Sequence, residues 1–450
     1  MAFLGSLGLK AKAGIGILTL YTSYEIYMQV RTQYLIKCRR DEYQKLIKSQ
    51  DASDVDYTKF KSATVAGMFV NPFEEYRPQT AFEFILVRIM ELFESIYGST
   101  IEIHNKVPNP HDDVVEVEDE LRRFKPDLAR YRANSKTLQS CVSKNDFQAL
   151  AKKDGWLRKA GLPVRDQLLF TWIGQSCALV QVSGINFLTD PLLEDHLFTP
   201  SFGPKRLEKA PMDLEDIDYA TNNKLDFILV SHDHPDHLEM NLVNKIRNKS
   251  FWIVPLGLKN KLARRGVHNV VELDWWDTLD ITNYITTDKA FPDKYEIVCV
   301  PSMHWSGRNV FDSNKSLWCS YILRRNRESI MYHAGDTGYS KELFDVIGKR
   351  YGPVTLALLP IGQYCPSWHQ KPRHISPEEA LKICKQTSAT FMKGIHWGTF
   401  KLSGEPILEP KNLLTNLAKA IDKSAVYKVP EFGLTYLFDL EQQKEVELHI

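Results

Sequence analysis

Three of the thirteen histidines in this 450-residue chain fall within six positions, in the stretch ILVSHDHPDHLEMN (228–241). His232 and His234 lie two apart, and Asp236 and His237 follow directly. Imidazoles and carboxylates at this spacing suit a metal site or a general-base cluster, with a loop merely rich in histidine as the plain alternative. His232 and His234 can turn to one ion, while Asp236 and His237 can hold a second a few Å away. One loop is too short of ligands for two ions. The missing donor types stand at the ends of predicted strands: His304 after YEIVCVPSM, Asp336 closing SIMYHAGD and His396 closing ATFMKGIH. A carboxylate can bridge two ions and an imidazole cannot, which makes Asp336 the bridging candidate.

The elements that must position these residues begin near residue 165. LLFTWIGQSCALVQVSGINFLTDP (168–191) reads as three strands with a Ser-Gly turn at 183–184, and LDFILVSHDH (225–234) as a buried strand running into the histidines. HLEMNLVNKIRN (237–248) follows as a helix. FWIVP (251–255), YEIVCVP (295–301), LWCSYILRR (317–325), SIMYHAGD (329–336) and VTLALLP (354–360) are further strands. SPEEALKICKQT (376–387) is a helix opened by a serine cap with acids in its first turn. Strands interleaved with helices predict a layered α/β domain.

Lys+Arg 57 against Asp+Glu 56 leaves a net charge of +1, so there is no electrostatic reason to expect a nucleic-acid partner. The seven cysteines are scattered without a CxxC pair, which suits a reducing compartment and not a secreted disulfide scaffold. The N-terminus has a different texture. Residues 1–24 carry no acid, and AGIGILTLYTSYEIYMQV (13–30) is an apolar, aromatic run broken by Glu25 and followed by Arg31, Lys37, Arg39 and Arg40. A span needs about 20 largely apolar residues, so residues 1–40 are read as a targeting segment or single membrane anchor, with a surface-lying amphipathic helix as the alternative. Residues 41–150 form a helical region and charged linker. Within it TAFEFILVRIMELFESIYG (80–98) shows an apolar helical stripe, and KVPNPHDDVVEVEDELRRFKPD (106–127) is proline-bearing and charged. Residues 151–450 are the catalytic domain.

The HxHxDH loop, the later strand-end histidines and the AGDTGY aspartate resemble the metallo-β-lactamase superfamily. WIG (172–174), FLTDP (187–191), FGPKR (202–206), SHDHPDHL (231–238), HW (304–305), HAGDTGY (333–339), LLPIG (358–362), HISPEEA (374–380) and IHWGTF (395–400) narrow the resemblance to its N-acylphosphatidylethanolamine-hydrolysing phospholipase D branch. The N-terminal extension is similar to that of the branch's fungal mitochondrial members. The resemblance implies an αββα four-layer sandwich with a membrane-associated helical extension, and two Zn2+ per chain. His232, His234 and His304 would hold one ion and Asp236, His237 and His396 the other, with Asp336 bridging and His374 beside the reacting phosphate. The branch usually reads WIGHAT where this chain has Gln175-Ser176-Cys177, and Gln363 and Cys365 are further departures.

The implied reaction is hydrolysis of N-acylphosphatidylethanolamine to N-acylethanolamine and phosphatidic acid. Zinc lowers the pKa of a shared water from about 16 toward roughly 7. The hydroxide attacks phosphorus, with Asp336, Asp236 and His374 as the catalytic side chains. Gln175, Lys205, Arg206 and Tyr364 are candidate substrate contacts. The partners are the lipid and a phospholipid membrane, mitochondrial and inner by the resemblance, and a homodimer is compatible. The rivals are a glyoxalase II-like thioesterase, a lactonase, a nuclease, or a membrane-associated scaffold that keeps metal without catalysis. A nuclease should show a basic groove, and a dead scaffold should have lost ligands.

Overall fold

The computed structural model describes residues 8–49, 59–78, 120–140 and 162–448, interrupted at 199–200, 202, 286–292 and 310–311, together with scattered positions between 80 and 90. It forms two compact units, Met1–Thr100 and Ile101–Ile450.

In the first unit a 41-residue helix, α1 (Leu9–Ser49), lays Met28 and Leu35 against Ala63, Val65 and Val70 around the hairpin β1 (Thr64–Val65) and β2 (Met68–Phe69). Ala66 and Gly67 both have positive φ, as a tight hairpin turn requires. Arg39 ties the helix to the carbonyls of Lys61 and Ser62. The expected single transmembrane anchor finds no support here. Among the described residues no helix is long and apolar enough to cross a membrane. In α1 the apolar run is broken by Glu25 and by hydroxyl-bearing residues, and the helix continues past residue 40 through Arg-Arg-Asp-Glu. Ile17, Leu20, Ile26 and Val30 are exposed. The apolar stripe of 80–98 and the linker of 106–127 lie mostly outside the described residues.

The second unit begins with α2 (Leu128–Ser140) and continues as β3 (Gln167–Gly174), β4 (Cys177–Val182), β5 (Ile185–Thr189), α3 (Leu214–Ala220), β6 (Phe227–Leu229), α4 (Met240–Ile246), β7 (Phe251–Pro255) and β8 (Val270–Leu273). It then runs through β9 (Thr278–Asp280), β10 (Tyr295–Val300), β11 (Ser320–Arg325), β12 (Glu328–His333), α5 (Lys341–Tyr351), β13 (Val354–Pro360), α6 (Pro377–Gln386), β14 (Phe391–Ile395), α7 (Glu409–Ala420), β15 (Tyr427–Lys428), β16 (Thr435–Asp439) and β17 (Lys444–Val446). Two sheets result, ordered β17-β16-β3-β4-β5-β6-β7-β8 and β15-β14-β13-β12-β11-β10-β9. Each contains an antiparallel meander, β3-β4-β5 or β10-β11-β12, from which parallel strands continue. Parallel neighbours need crossovers, and helices supply several of them, which is why the strands are buried on both faces.

The layers follow from alternation along the strands. Leu169, Ile173, Leu179, Leu188, Ile228 and Val254 pack outward against Ile217, Ala220, Leu242 and Val243 of α3 and α4. Phe391 of β14 meets Phe438 of β16 at 5.0 Å between ring centroids, and the Tyr321 hydroxyl donates to the Val230 carbonyl at 2.9 Å. Those contacts join the two sheets face to face, giving the αββα sandwich. Helix starts are cut sharply: Ser376 with Glu379, and Asp213 with Asp216, form reciprocal capping boxes, and Pro377 opens α6. The expected helix over 237–248 is shorter, because 234–239 forms a turn in which Glu239 accepts from the amides of Leu193 and Glu194.

Where the sheets meet at the site, space runs out. Gly335 has φ +57, and a Cβ there would lie 2.5 Å from that of Ser231. Gly335→Ala should therefore destabilise the fold by about 1–3 kcal/mol, read as a lowered denaturation midpoint. An unchanged midpoint would show that the sheets can separate at this end without cost.

Candidate metal centre

All the histidine and aspartate side chains singled out as ligands arrive from the carboxyl ends of strands. The β6 strand runs into His232, His234, Asp236 and His237. The β10 strand leads to His304, β12 to Asp336, and β14 directly to His396. In parallel α/β sheets this edge is where loops are free to vary while the strands behind them stay rigid. All seven side chains are buried, none more than 9% exposed.

They gather into two groups that share one residue. His232, His234, His304 and Asp336 bring one donor atom each within 4.8 Å of one another, as do Asp236, His237, Asp336 and His396. In the first group His234 Nδ1 is 2.7 Å from His232 Nε2 and 3.2 Å from His304 Nε2, and Asp336 Oδ2 is 3.6 Å from His304 Nε2. In the second, Asp336 places Oδ2 at 3.2 Å from His237 Nε2 and Oδ1 at 3.0 Å from His396 Nε2. Asp236 Oδ2 lies 3.6 Å from both His237 and His396. Nitrogen and carboxylate donors converging without intervening apolar atoms fit divalent ions of the zinc kind. Asp336, common to both groups, has the place of a bridge.

The outer ring nitrogens decide which nitrogen faces inward. His237 Nδ1 donates to Asp190 Oδ2 at 2.9 Å, and His304 Nδ1 donates to the Arg373 carbonyl at 2.9 Å. The Ser231 hydroxyl donates to Asp190 Oδ2 at 2.8 Å, so it accepts from His232 Nδ1 at 2.9 Å. His333 Nε2 donates to the same Asp190 oxygen at 2.9 Å, and the Ser231 amide donates to Oδ1 at 2.6 Å. Neither Asp190 nor His333 was a candidate on sequence grounds. The FLTDP motif contained the aspartate, but only the facing of the two sheets shows what it holds.

Burial presses each imidazole toward its neutral, ligating form. His232 and His374 lie well below the usual histidine range, and His234 and His304 fall to about 3. Burial acts the same way on His237 and His396, but Asp336 and Asp236 overcome it, with Asp190 adding to the effect on His237. His237 lies well above the usual range and His396 rises to about 9. Burial would raise Asp190, yet His333 and His237 bring it down to about 2. Asp336 is likewise held low against burial by His237 and His396. The buried carboxylates thus demand positive charge, which protons or metal cations can provide.

The remaining candidates divide. His374, on the turn before α6, is buried with Nδ1 at 3.8 Å from Asp336 Oδ2 and without a hydrogen-bond partner among the described residues. Gln175 lies inside the site, its Nε2 at 2.9 Å from Asp236 Oδ2. Arg206 is corrected from a phosphate contact to an internal brace. It is 4% exposed and donates to the carbonyls of Glu194, Ile173 and Leu192. Lys205 is exposed on a segment paired with His196. The Tyr364 hydroxyl donates to Glu409 at 2.7 Å instead of facing the ligands. An open cleft beside the second group is lined by Gln175, Gln363, His396, Trp397, Phe400, Leu402 and Ile407.

The chain's residues 185–397 match the model of the beta-lactamase superfamily domain. The mitochondrial N-acyl-phosphatidylethanolamine-hydrolysing phospholipase D of Saccharomyces cerevisiae is 40% identical over 94% of this chain and 87% of its own length. N-acyl-phosphatidylethanolamine-hydrolysing phospholipase D 1 of Caenorhabditis elegans is 38% identical over 56% of this chain and 70% of its own length. A solved metallo hydrolase from Ignicoccus hospitalis aligns over 60% of this chain and 98% of its own with 24% identity and a TM-score of 0.45.

Asp190→Asn keeps the shape but cannot accept from Ser231, His237 and His333 together. It should weaken metal binding by about 10–100-fold, measured by titrating metal-free protein with Zn2+. Wild-type affinity in the variant would show that His237 orients itself without Asp190.

Proposed function

The chain belongs to the N-acyl-phosphatidylethanolamine-hydrolysing phospholipase D family, metal-dependent hydrolases on the metallo-β-lactamase fold, and from that membership we propose that it is itself such a phospholipase D. It would cleave N-acylphosphatidylethanolamine on the ethanolamide side of phosphorus, yielding N-acylethanolamine and phosphatidate. The observation that carries the reading is the sharing of Asp336 between two buried donor groups.

His232, His234 and His304 would hold one zinc ion and Asp236, His237 and His396 the other, with Asp336 between them. Such a pair supplies water ionised near neutral pH and offsets charge on the phosphoryl oxygens. The side chains account for the rest. Asp190, Ser231 and the Arg373 carbonyl hold three imidazoles in the tautomer that turns Nε2 inward. His374, kept neutral by burial and free at Nδ1, is placed to hydrogen-bond an oxygen of the reacting phosphate. Water remains as the proton source for the departing alkoxide, since Asp236 is held ionised against burial by His237 and His396.

The cleft supports an acylated leaving group. Part of its wall, Trp397, Phe400, Leu402 and Ile407, is apolar, beside polar Lys401, Ser403 and Glu405. Two of its lining side chains carry buried polar atoms without a protein partner among the described residues, Trp397 Nε1 and Gln363 Oε1. One is a donor and the other an acceptor, the pair that a secondary amide complements.

We also propose that α1 lies on a phospholipid surface instead of crossing it, in mitochondria as the name of the yeast relative indicates. Its exposed Ile17, Leu20, Ile26 and Val30 precede exposed Arg31 and Lys37, an apolar and cationic combination suited to an anionic interface.

In mixed micelles the zinc-loaded protein should hydrolyse N-acylphosphatidylethanolamine, and Asp336→Asn should reduce turnover by about 100-fold or more. Two bound metals without lipid turnover would overturn the phospholipase reading and leave the metallohydrolase fold. The full chain should also co-float with vesicles containing anionic phospholipid. A Leu20→Glu, Ile26→Glu double variant should partition about 10-fold less or worse, since each buried aliphatic side chain contributes about 1.5–3 kcal/mol. Equal flotation of the two proteins would exclude α1 as the docking element.

A further inference from the structure

The five imidazoles of the two donor groups are not held alike. His232, His237 and His304 each have an outer partner on Nδ1. His396 does not: its Nδ1 is buried and has no hydrogen-bond partner among the described residues. Its orientation has to come from elsewhere, and the elements in reach converge on residue 175.

Gln175 sits in the β3–β4 turn, 2% exposed, with φ +50. Its carbonyl accepts from the His396 amide at 3.0 Å and from Trp172 Nε1 at 2.8 Å, and its own amide donates to Thr399 Oγ1 at 2.6 Å. The turn of one sheet is therefore clamped to the loop that carries His396 on the other. The side chain then enters the second donor group. Its Nε2 donates to Asp236 Oδ2 at 2.9 Å and lies 2.9 Å from His396 Nε2. An ion at the second group would take the His396 lone pair, leaving the bond to Asp236 as the one the amide keeps.

We infer that Gln175 is a positioning residue of the second metal site, fixing Asp236 through its carboxamide and His396 through its backbone, so that residue 175 governs the affinity of the second ion and not of the first. The first group, His232, His234 and His304, has no hydrogen bond to Gln175 among the described residues. This inference rests on reading the two donor groups as metal sites. The WIGHAT pattern usual in the resembled branch puts a histidine at this position. Its Nε2 reaches about as far as that of glutamine and can donate to the same carboxylate.

The test is calorimetric titration of metal-free full-length protein with Zn2+, resolved into two sites, with bound metal counted independently by elemental analysis. Gln175→Leu should weaken the second site by about 10–100-fold and leave the first unchanged. Gln175→Asn, which keeps the amide and loses one methylene of reach, should behave in the same way and covers the case in which the leucine variant does not fold. Gln175→His should retain the second ion. Wild-type binding of both ions in the leucine and asparagine variants overturns the inference, and so does equal weakening of both sites, which would mark a packing role only. A wild-type protein that binds fewer than two ions overturns the metal reading itself, a separate result seen before any variant is made.

Discussion

One fully buried carboxylate, that of Asp190, ties together the ends of three strands. It accepts from the Ser231 amide and hydroxyl, from His237 and from His333, and so joins the ends of β5 and β6 in one sheet to the end of β12 in the other. Burial of an unpaired carboxylate is costly, and each of its donors repays part of that cost only if both sheets are in place. The close approach at Gly335 is the steric side of the same constraint. With the strand ends fixed this way, histidines and aspartates far apart in sequence can point into one small volume without any loop having to fold around them.

This explains which parts were legible in the sequence. The strand ahead of the histidines, the meander of β3 to β5 and the helix capped by Ser376 carry local signals, in alternation, turn residues and caps. The candidate ligands His304, Asp336 and His396 could be named because each closes an apolar run. Asp190 and His333 could not, and Gln175 is legible only as a substrate contact, since their roles depend on what lies across the gap between sheets, and nothing in FLTDP or WIGQSC states it. Arg206 was misread for a related reason. A basic pair in a loop gives no sign of whether the guanidinium faces solvent or turns inward to satisfy buried carbonyls. The N-terminal run shows the limit of composition, where a few polar side chains separate a spanning segment from a long helix with exposed apolar side chains.

The donor groups and the cleft beside them differ in character. The donor groups are rigid, buried and charged, and their counter-charge is set by atoms within hydrogen-bond distance. The cleft beside the second group mixes apolar Trp397, Phe400, Leu402 and Ile407 with polar Gln363, Lys401, Ser403 and Glu405. The exposed apolar side chains of α1 are in keeping with the proposed lipid substrate, which is found at an interface and not in bulk water.

The division of ligands between the two sheets also bears on how this protein is made. The first half of the catalytic unit supplies His232, His234, Asp236 and His237, and His396 comes only after β14 has been laid down beside β13. A nascent chain that stops before β14 already carries six of the seven donors but cannot close the second group. Closure of both donor groups therefore belongs to the finished domain, so that metal content would serve as a check on whether a given molecule is whole.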